Sequence, residues 1–181
     1  YKSTKTGFSL GSGFEFYDDL YWNTGISSYI EELDTDSTVS ANIKKQEGSY
    51  FDTFFNQVFF YDKRNQRFKT SDGYFSRFNQ NIPLISENYT LTNGYDYKIY
   101  NEWLNENVFS FGLFLKASNS INGKDIKLSE RLFLPSSKLR GFEYGKVGPK
   151  DGTDYVGGNY AASINMATTL PKILPNLQNA S

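Results

Sequence analysis

Glu130-Arg131-Leu132-Phe133, Leu139-Arg140-Gly141-Phe142-Glu143, Gly148-Pro149-Lys150 and Val156-Gly157-Gly158-Asn159 follow one another along a long polar connection, residues 118–157 and the start of what comes after it. On its near side a strand carries Phe109, Phe111, Leu113 and Leu115. On its far side Tyr160, Ile164, Met166 and Leu170 alternate with Asn159, Ser163, Asn165 and Ala167. A period of two marks strands that are apolar on one face and wet on the other. The connection is therefore a loop between two strands, and its internal run of motifs is the most specific feature of the chain.

Working outward, the same period predicts five further strands. One near 4–16 sets Phe8, Leu10, Phe14 and Phe16 against Gly7, Ser9, Gly11, Gly13 and Glu15. A turn at Tyr17-Asp18-Asp19 leads to one near 20–33, with Leu20, Trp22, Ile26 and Ile30 opposite Asn23, Gly25, Ser27 and Glu31. The polar stretch from Asp34 to Gly48 reads as an exposed loop, and Glu31-Glu32 with Asp34-Thr35-Asp36 as its wetted rim. The strand near 49–62 is apolar on both faces, with Phe51, Phe55 and Phe59 on one and Phe54, Val58 and Phe60 on the other, so period alone does not orient it. Arg67 to Gly73 forms a turn into a strand near 73–84, and another follows near 88–100, where Tyr89, Leu91, Tyr95, Tyr97 and Ile99 oppose Thr90, Thr92, Gly94, Asp96 and Lys98. A short turn around Asn105-Glu106-Asn107 then leads to the strand that carries Phe109.

Composition fits strands that cross a membrane. Aromatic residues make up 18% of the 181 residues, yet mean hydropathy is -0.56, as expected where half of each strand faces lipid and half faces water. Each strand is close to the ~9–11 residues a tilted membrane strand needs, and no apolar run reaches the ~18 residues of a transmembrane helix. Connections alternate between tight turns and long loops, the asymmetry of outer-membrane barrels. On that count 62–72 is periplasmic and 85–88 extracellular. Phe16, Tyr17, Tyr21, Trp22, Tyr100 and Trp103 at strand ends suit an interfacial belt.

Other classes find little support. The net charge is -1 and no basic run exists, which leaves nucleic acid without an electrostatic footprint. With no His and no Cys, neither the common catalytic triads nor zinc sites can be built. Gly145 to Lys150 lacks phosphate-loop spacing, and the Asn88-Tyr89-Thr90 sequon carries no weight. No enzyme, metal or cofactor is expected.

The ordered motifs of the long connection resemble the sixth extracellular loop of the Omp85 family (bacterial surface antigen D15 type), and Arg67-Phe68-Lys69-Thr70-Ser71-Asp72-Gly73 resembles the turn before a mid-barrel strand of that family. The resemblance implies an all-β fold, a partial antiparallel transmembrane β-barrel of about seven strands out of sixteen, roughly the sixth to the twelfth. An odd strand count, and the absence of an opening signal peptide, fit residues 1–181 being a piece of a C-terminal barrel domain with the true N-terminus elsewhere. The resemblance further implies that Leu139, Arg140, Gly141 and Phe142 lock the loop inside the lumen. Gly157, Gly158 and Asn159 would make the loop-to-strand motif, and Asp72 and Gly73 the turn motif. A buried Arg140 would need a carboxylate; where the family often has Glu, Ala167 stands here.

Inward Gly7, Ser9, Gly11 and Gly13, and Ala161, Ser163 and Ala167, would leave room for such a loop or bend the sheet. The implied function is folding and inserting nascent outer-membrane β-barrel proteins in the cell outer membrane of a Gram-negative bacterium. Implied partners are outer-membrane lipid, those client barrels and, through periplasmic domains, assembly-complex lipoproteins. Two alternatives stand beside it: a two-partner-secretion pore of the same family, and a soluble aromatic-rich β-sandwich that binds carbohydrate.

Overall fold

The computed structural model describes residues 1–36, 39–103 and 107–169. Seven antiparallel strands form one sheet in chain order: β1 (Lys2–Tyr17), β2 (Leu20–Asp34), β3 (Gly48–Asp62), β4 (Gly73–Ile85), β5 (Thr90–Glu102), β6 (Val108–Ser120) and β9 (Tyr160–Thr168). Between β6 and β9 the long loop carries only a two-residue ladder, β7 (Lys150–Asp151) with β8 (Asp154–Tyr155). All seven expected membrane strands are present, with ends within a few residues of those read from the sequence. Leu170 and most of the expected turn at Asn105 to Asn107 lie outside the described residues. No described helix is long and apolar enough to cross a membrane, which says nothing of strands.

Short-range chemistry fixes the turns. Asp18 and Asp19 alone join β1 to β2, and Asp19 takes φ 64, the left-handed geometry that a two-residue hairpin demands and Asp tolerates. Between β3 and β4, Asp62 receives Nε and Nη2 of Arg64 at 2.7 and 2.8 Å, and the Asn65 side chain accepts from the amides of Ser71 and Asp72. Gly73, at φ +93, then re-enters the sheet with its Cα so close to Lys63 that a Cβ would meet the Lys63 carbonyl at 2.1 Å. No other residue fits there.

The register orients β3, which period alone left open. Glu31 pairs with Tyr50, Tyr29 with Asp52 and Ser27 with Phe54. Asp52 and Phe54 are buried under the long loop, whereas Phe51 is half exposed on the opposite side. Even-numbered β3 residues thus face the lumen and odd-numbered ones face outward. On β1 the outward Phe8 and Leu10 are more than 70% exposed, 72% and 78%, which suits lipid rather than water. Turns 18–19 and 63–72, with Trp103 and Asn107, gather at one rim, and loops 86–89 and 121–159, with the described residues 35–36 and 39–47, at the other.

The buried apolar cluster lies at the rim of the long loops. Leu33 at the end of β2, Ile43 in a one-turn helix α1 (Ala41–Lys44), and Leu128 and Val156 of the long loop pack together, with Val39 and Tyr50 against them. The 34–48 stretch, expected as a plain exposed loop, therefore contributes a capped helical turn and a core residue. Ser40 caps that turn by accepting from the Ile43 amide, and its hydroxyl also donates to Asp151 of the long loop at 2.6 Å.

Candidate functional site

The long loop folds back over the lumenal face of the sheet and is held there at two heights. Near the rim, Ile126, Lys127 and Leu128 are all buried, and a 3-10 turn at Leu128–Glu130 directs the Lys127 side chain inward. Its Nζ, 1% exposed, lies 3.3 Å from Glu31 Oε2 on β2, in contact with Asp52 Oδ2 on β3, and 3.5 Å from Glu130 Oε1. The Tyr50 ring sits 5.0 Å from it. Glu31 also accepts from the hydroxyls of Ser3 and Ser129, at 2.5 and 3.0 Å, and Asp52 from Ser86 at 2.6 Å. Two strands, the loop and a turn thus converge on one ammonium group.

Charge explains why the cluster holds. Burial alone would lower the pKa of Lys127, but the surrounding Glu130, Asp52 and Glu31 carboxylates outweigh it and raise it, so the lysine stays charged. Burial pushes Glu130 above the usual carboxylate range, only partly offset by Lys127. A Glu130 that keeps its proton more readily reduces the excess of negative charge. Glu31, expected at a wetted rim, is instead fully buried. It faces inward on β2, where the loop covers it, whereas Glu32, Asp34 and Asp36 are exposed as expected.

Deeper in the lumen, Pro135 to Leu139 make a turn closed by the Lys138 and Leu139 amides on the Pro135 carbonyl, at 2.8 and 3.2 Å. Lys138 Nζ then reaches Asp96 Oδ1 at 2.5 Å and stands 5.4 Å over the Phe114 ring. Asp96 and Phe114 pair across β5 and β6, and Asp96 is the central residue of β5. The loop therefore descends from the rim to the middle of the wall.

Arg140, Gly141 and Phe142 follow within two to four residues of that point. Leu139 is half-buried, whereas Arg140 is exposed and has no carboxylate within 4 Å among the described residues; Phe142 is 59% exposed. Gly141 takes φ +85 in open space. The structure brings two of the other loop motifs, Glu130 to Phe133 and Val156 to Asn159, together. Leu132 and Gly158 exchange both backbone hydrogen bonds, at 2.7 and 2.9 Å, and the Asn159 carbonyl accepts from the Ser118 amide at 2.8 Å. Gly157, at φ +72, lies so close to the Leu132 carbonyl and the Phe133 ring that a Cβ would sit 3.0 Å from each. Ala167 faces the lumen opposite Ser110 on β6. Lys127, Asp52, Lys138 and Asp96 were not singled out from the sequence, although one signal was present: Asp52 is a carboxylate within a strand that carries apolar residues on both faces.

Comparison with known proteins agrees with this geometry. A SAM50-like protein of Schizosaccharomyces pombe is 42% identical over 60 residues, 32% of this chain and 13% of its own length. The fold of BamA from Haemophilus ducreyi lacking POTRA domains 1-3 matches with a TM-score of 0.81 at 19% identity, over 99% of this chain and 39% of that one. The chain thus spans well under half the length of either. The model of the Omp85 superfamily domain matches residues 1–179. A seven-stranded antiparallel wall with its motif-bearing loop folded into the lumen, matched by the family model over nearly every residue, belongs to the Omp85 superfamily of outer-membrane barrels.

Proposed function

We propose that this chain is part of the barrel of an outer-membrane assembly factor that folds and inserts nascent β-barrel proteins, in a Gram-negative bacterium and without enzymatic chemistry. The observation that carries the reading is the loop's descent from the Lys127 cluster at the rim to the Lys138–Asp96 pair at mid-wall. A lumen occupied at two heights is a poor conduit, so work on a client belongs at the barrel's wall and lipid boundary, where an incoming strand can find backbone partners. This favours assembly over the secretion pore. The family match is common to both readings, and the likeness to a SAM50-like protein and to BamA supports assembly.

On this reading Leu139, Arg140, Gly141 and Phe142 form the loop's lock. Lys138, paired with Asp96 at mid-wall, supports this placement of Arg140, whose carboxylate partner would come from wall beyond these seven strands. Lipoproteins of an assembly complex would act through periplasmic domains. The test is the complete protein reconstituted in phospholipid vesicles with a urea-denatured outer-membrane barrel as client. Acceleration of client folding without comparable ion conductance supports assembly. Steady conductance with no effect on client folding would refute it and favour a pore.

A further inference from the structure

The outward face of the wall carries a polar line inside its apolar band. On β3 Gln57 stands between the outward Phe55 and Phe59. Its partner Gln80 stands between Phe78 and Ile82 on β4, and Asn93 between Leu91 and Tyr95 on β5. Gln57 Nε2 donates to Gln80 Oε1 at 2.8 Å, and Gln80 Nε2 donates to Asn93 Oδ1 at 2.7 Å. The row continues the other way through Thr24, between Trp22 and Ile26, to Ser12, between Leu10 and Phe14. Five adjacent strands thus each place one polar side chain in a single row, with apolar neighbours on both sides along the strand.

Strands about 4.8 Å apart and tilted by roughly 40° make such a row descend about 3 Å per strand, so it slants through the apolar band rather than marking an interface. The two hydrogen bonds leave one amide hydrogen on each glutamine, and both on Asn93, without a protein partner among the described residues. Hydrocarbon offers no acceptor for them. Three amides that served only to join strands would gain nothing from facing the tails, since apolar pairs join strands there at no such cost. The free groups are chiefly donors, and no charged side chain stands in the row. Their complement is an uncharged acceptor, which at a bilayer is the glycerol ester carbonyl of a phospholipid together with the water around it.

We propose that Gln57, Gln80 and Asn93 form a polar notch in the lipid-facing wall, at which phospholipid ester groups and their water are drawn below their usual depth. The notch is a lipid-binding feature of the wall itself and does not depend on the assembly reading.

The experiment uses the complete protein, with any cysteine elsewhere removed, in phosphatidylcholine vesicles and with single cysteines at Phe78 or Ile82, which flank Gln80. Leu113, near the middle of β6 and outward but away from the row, is the control. A membrane-impermeant maleimide should label positions 78 and 82 at least tenfold faster than 113. In a Gln57→Leu, Gln80→Leu, Asn93→Leu background the rates should fall to that of 113, with heat-modifiable migration on gels confirming a folded barrel. Gln80→Leu alone, the milder variant, should slow labelling part of the way. Labelling at 78 and 82 as slow as at 113 with the row intact overturns the proposal. So does oxidative cross-linking of 82 between two copies, which would mean that protein rather than lipid covers the row.

Discussion

Lys127→Met removes the one ammonium group that the rim cluster is built around while keeping the length of the side chain. Asp52, fully buried, would keep its serine hydroxyl but lose its cation, while Glu31, also fully buried, would keep its serine hydroxyls and only the partly exposed Lys5, at 3.6 Å. Breaking a buried pair by removing one partner costs about 3–5 kcal/mol, because the remaining charge is left uncompensated. Here the cost falls on docking of the loop, since the strands keep their backbone ladders without it. At about 1.4 kcal/mol per factor of ten, the undocked population rises roughly 10²-fold to several thousandfold. Hydrogen exchange read by mass spectrometry reports this directly. The Leu128 amide, bonded to Gln46 Oε1 at 2.7 Å, and the Glu130 amide, bonded to the Lys127 carbonyl at 2.9 Å, should lose protection by that factor, while β3 and β5 change little. Adding Glu31→Gln and Asp52→Asn to Lys127→Met should recover much of the protection, since a neutral cluster no longer holds stranded charge. Protection within threefold of the parent in Lys127→Met alone would refute the reasoning.

The deeper pair should be weaker: Lys138→Met or Asp96→Asn, at a half-buried site, should cost about 1–2 kcal/mol of tip docking, and the swap Lys138→Asp with Asp96→Lys should restore part of it, read as exchange in peptides covering 134–142. Because burial raises the pKa of Glu130, the folded state holds that proton more tightly than the unfolded chain does; the contribution of Glu130 to docking is therefore fully present below its unfolded value and is lost as pH rises through the folded value, and Glu130→Gln should remove this component and protect the loop at pH 8. For Lys127, whose pKa is raised, docking should persist through neutral pH and fail only well above 10.5; a loop released at pH 8 in the Glu130→Gln protein would contradict both assignments. Leu128→Ala, in the apolar cluster at the rim, should cost about 2–5 kcal/mol by leaving a cavity, seen as proteolytic cleavage within 121–132. Gly73→Ala should lower the urea midpoint of barrel unfolding, since a Cβ has no room beside the Lys63 carbonyl.

The wall was legible because one face of every strand meets a different solvent from the other, and period two records that difference residue by residue. β3 escaped orientation for the same reason: Phe54, Val58 and Phe60 face a lumen that the loop and neighbouring aromatic rings make apolar, so both faces read alike. The turn motif at Asp72 and Gly73 could be read locally, since φ +93 beside a carbonyl admits only glycine. The anchors could not. Lys127 lies 96 residues from Glu31 and 75 from Asp52, and nothing in a linear spacing ties a loop lysine to carboxylates that distant. A charged residue in the middle of an aromatic strand was the available clue, because Asp52 there requires a partner from somewhere. Arg140 drew attention through its motif, yet among the described residues the charge pairing that holds the loop belongs to the two lysines before it.

The central claim is that the loop reaches the middle of the lumen, and the most direct test is a short cysteine cross-link between positions 138 and 96 in the complete protein in intact outer membranes. Lys138→Cys with Asp96→Cys should be joined in high yield by a short bifunctional thiol reagent. Lys138→Cys with Glu32→Cys, whose second residue is exposed at the rim, should not be joined. Absence of the 138–96 product, with position 138 freely labelled by a reagent confined to the cell exterior, would contradict the claim.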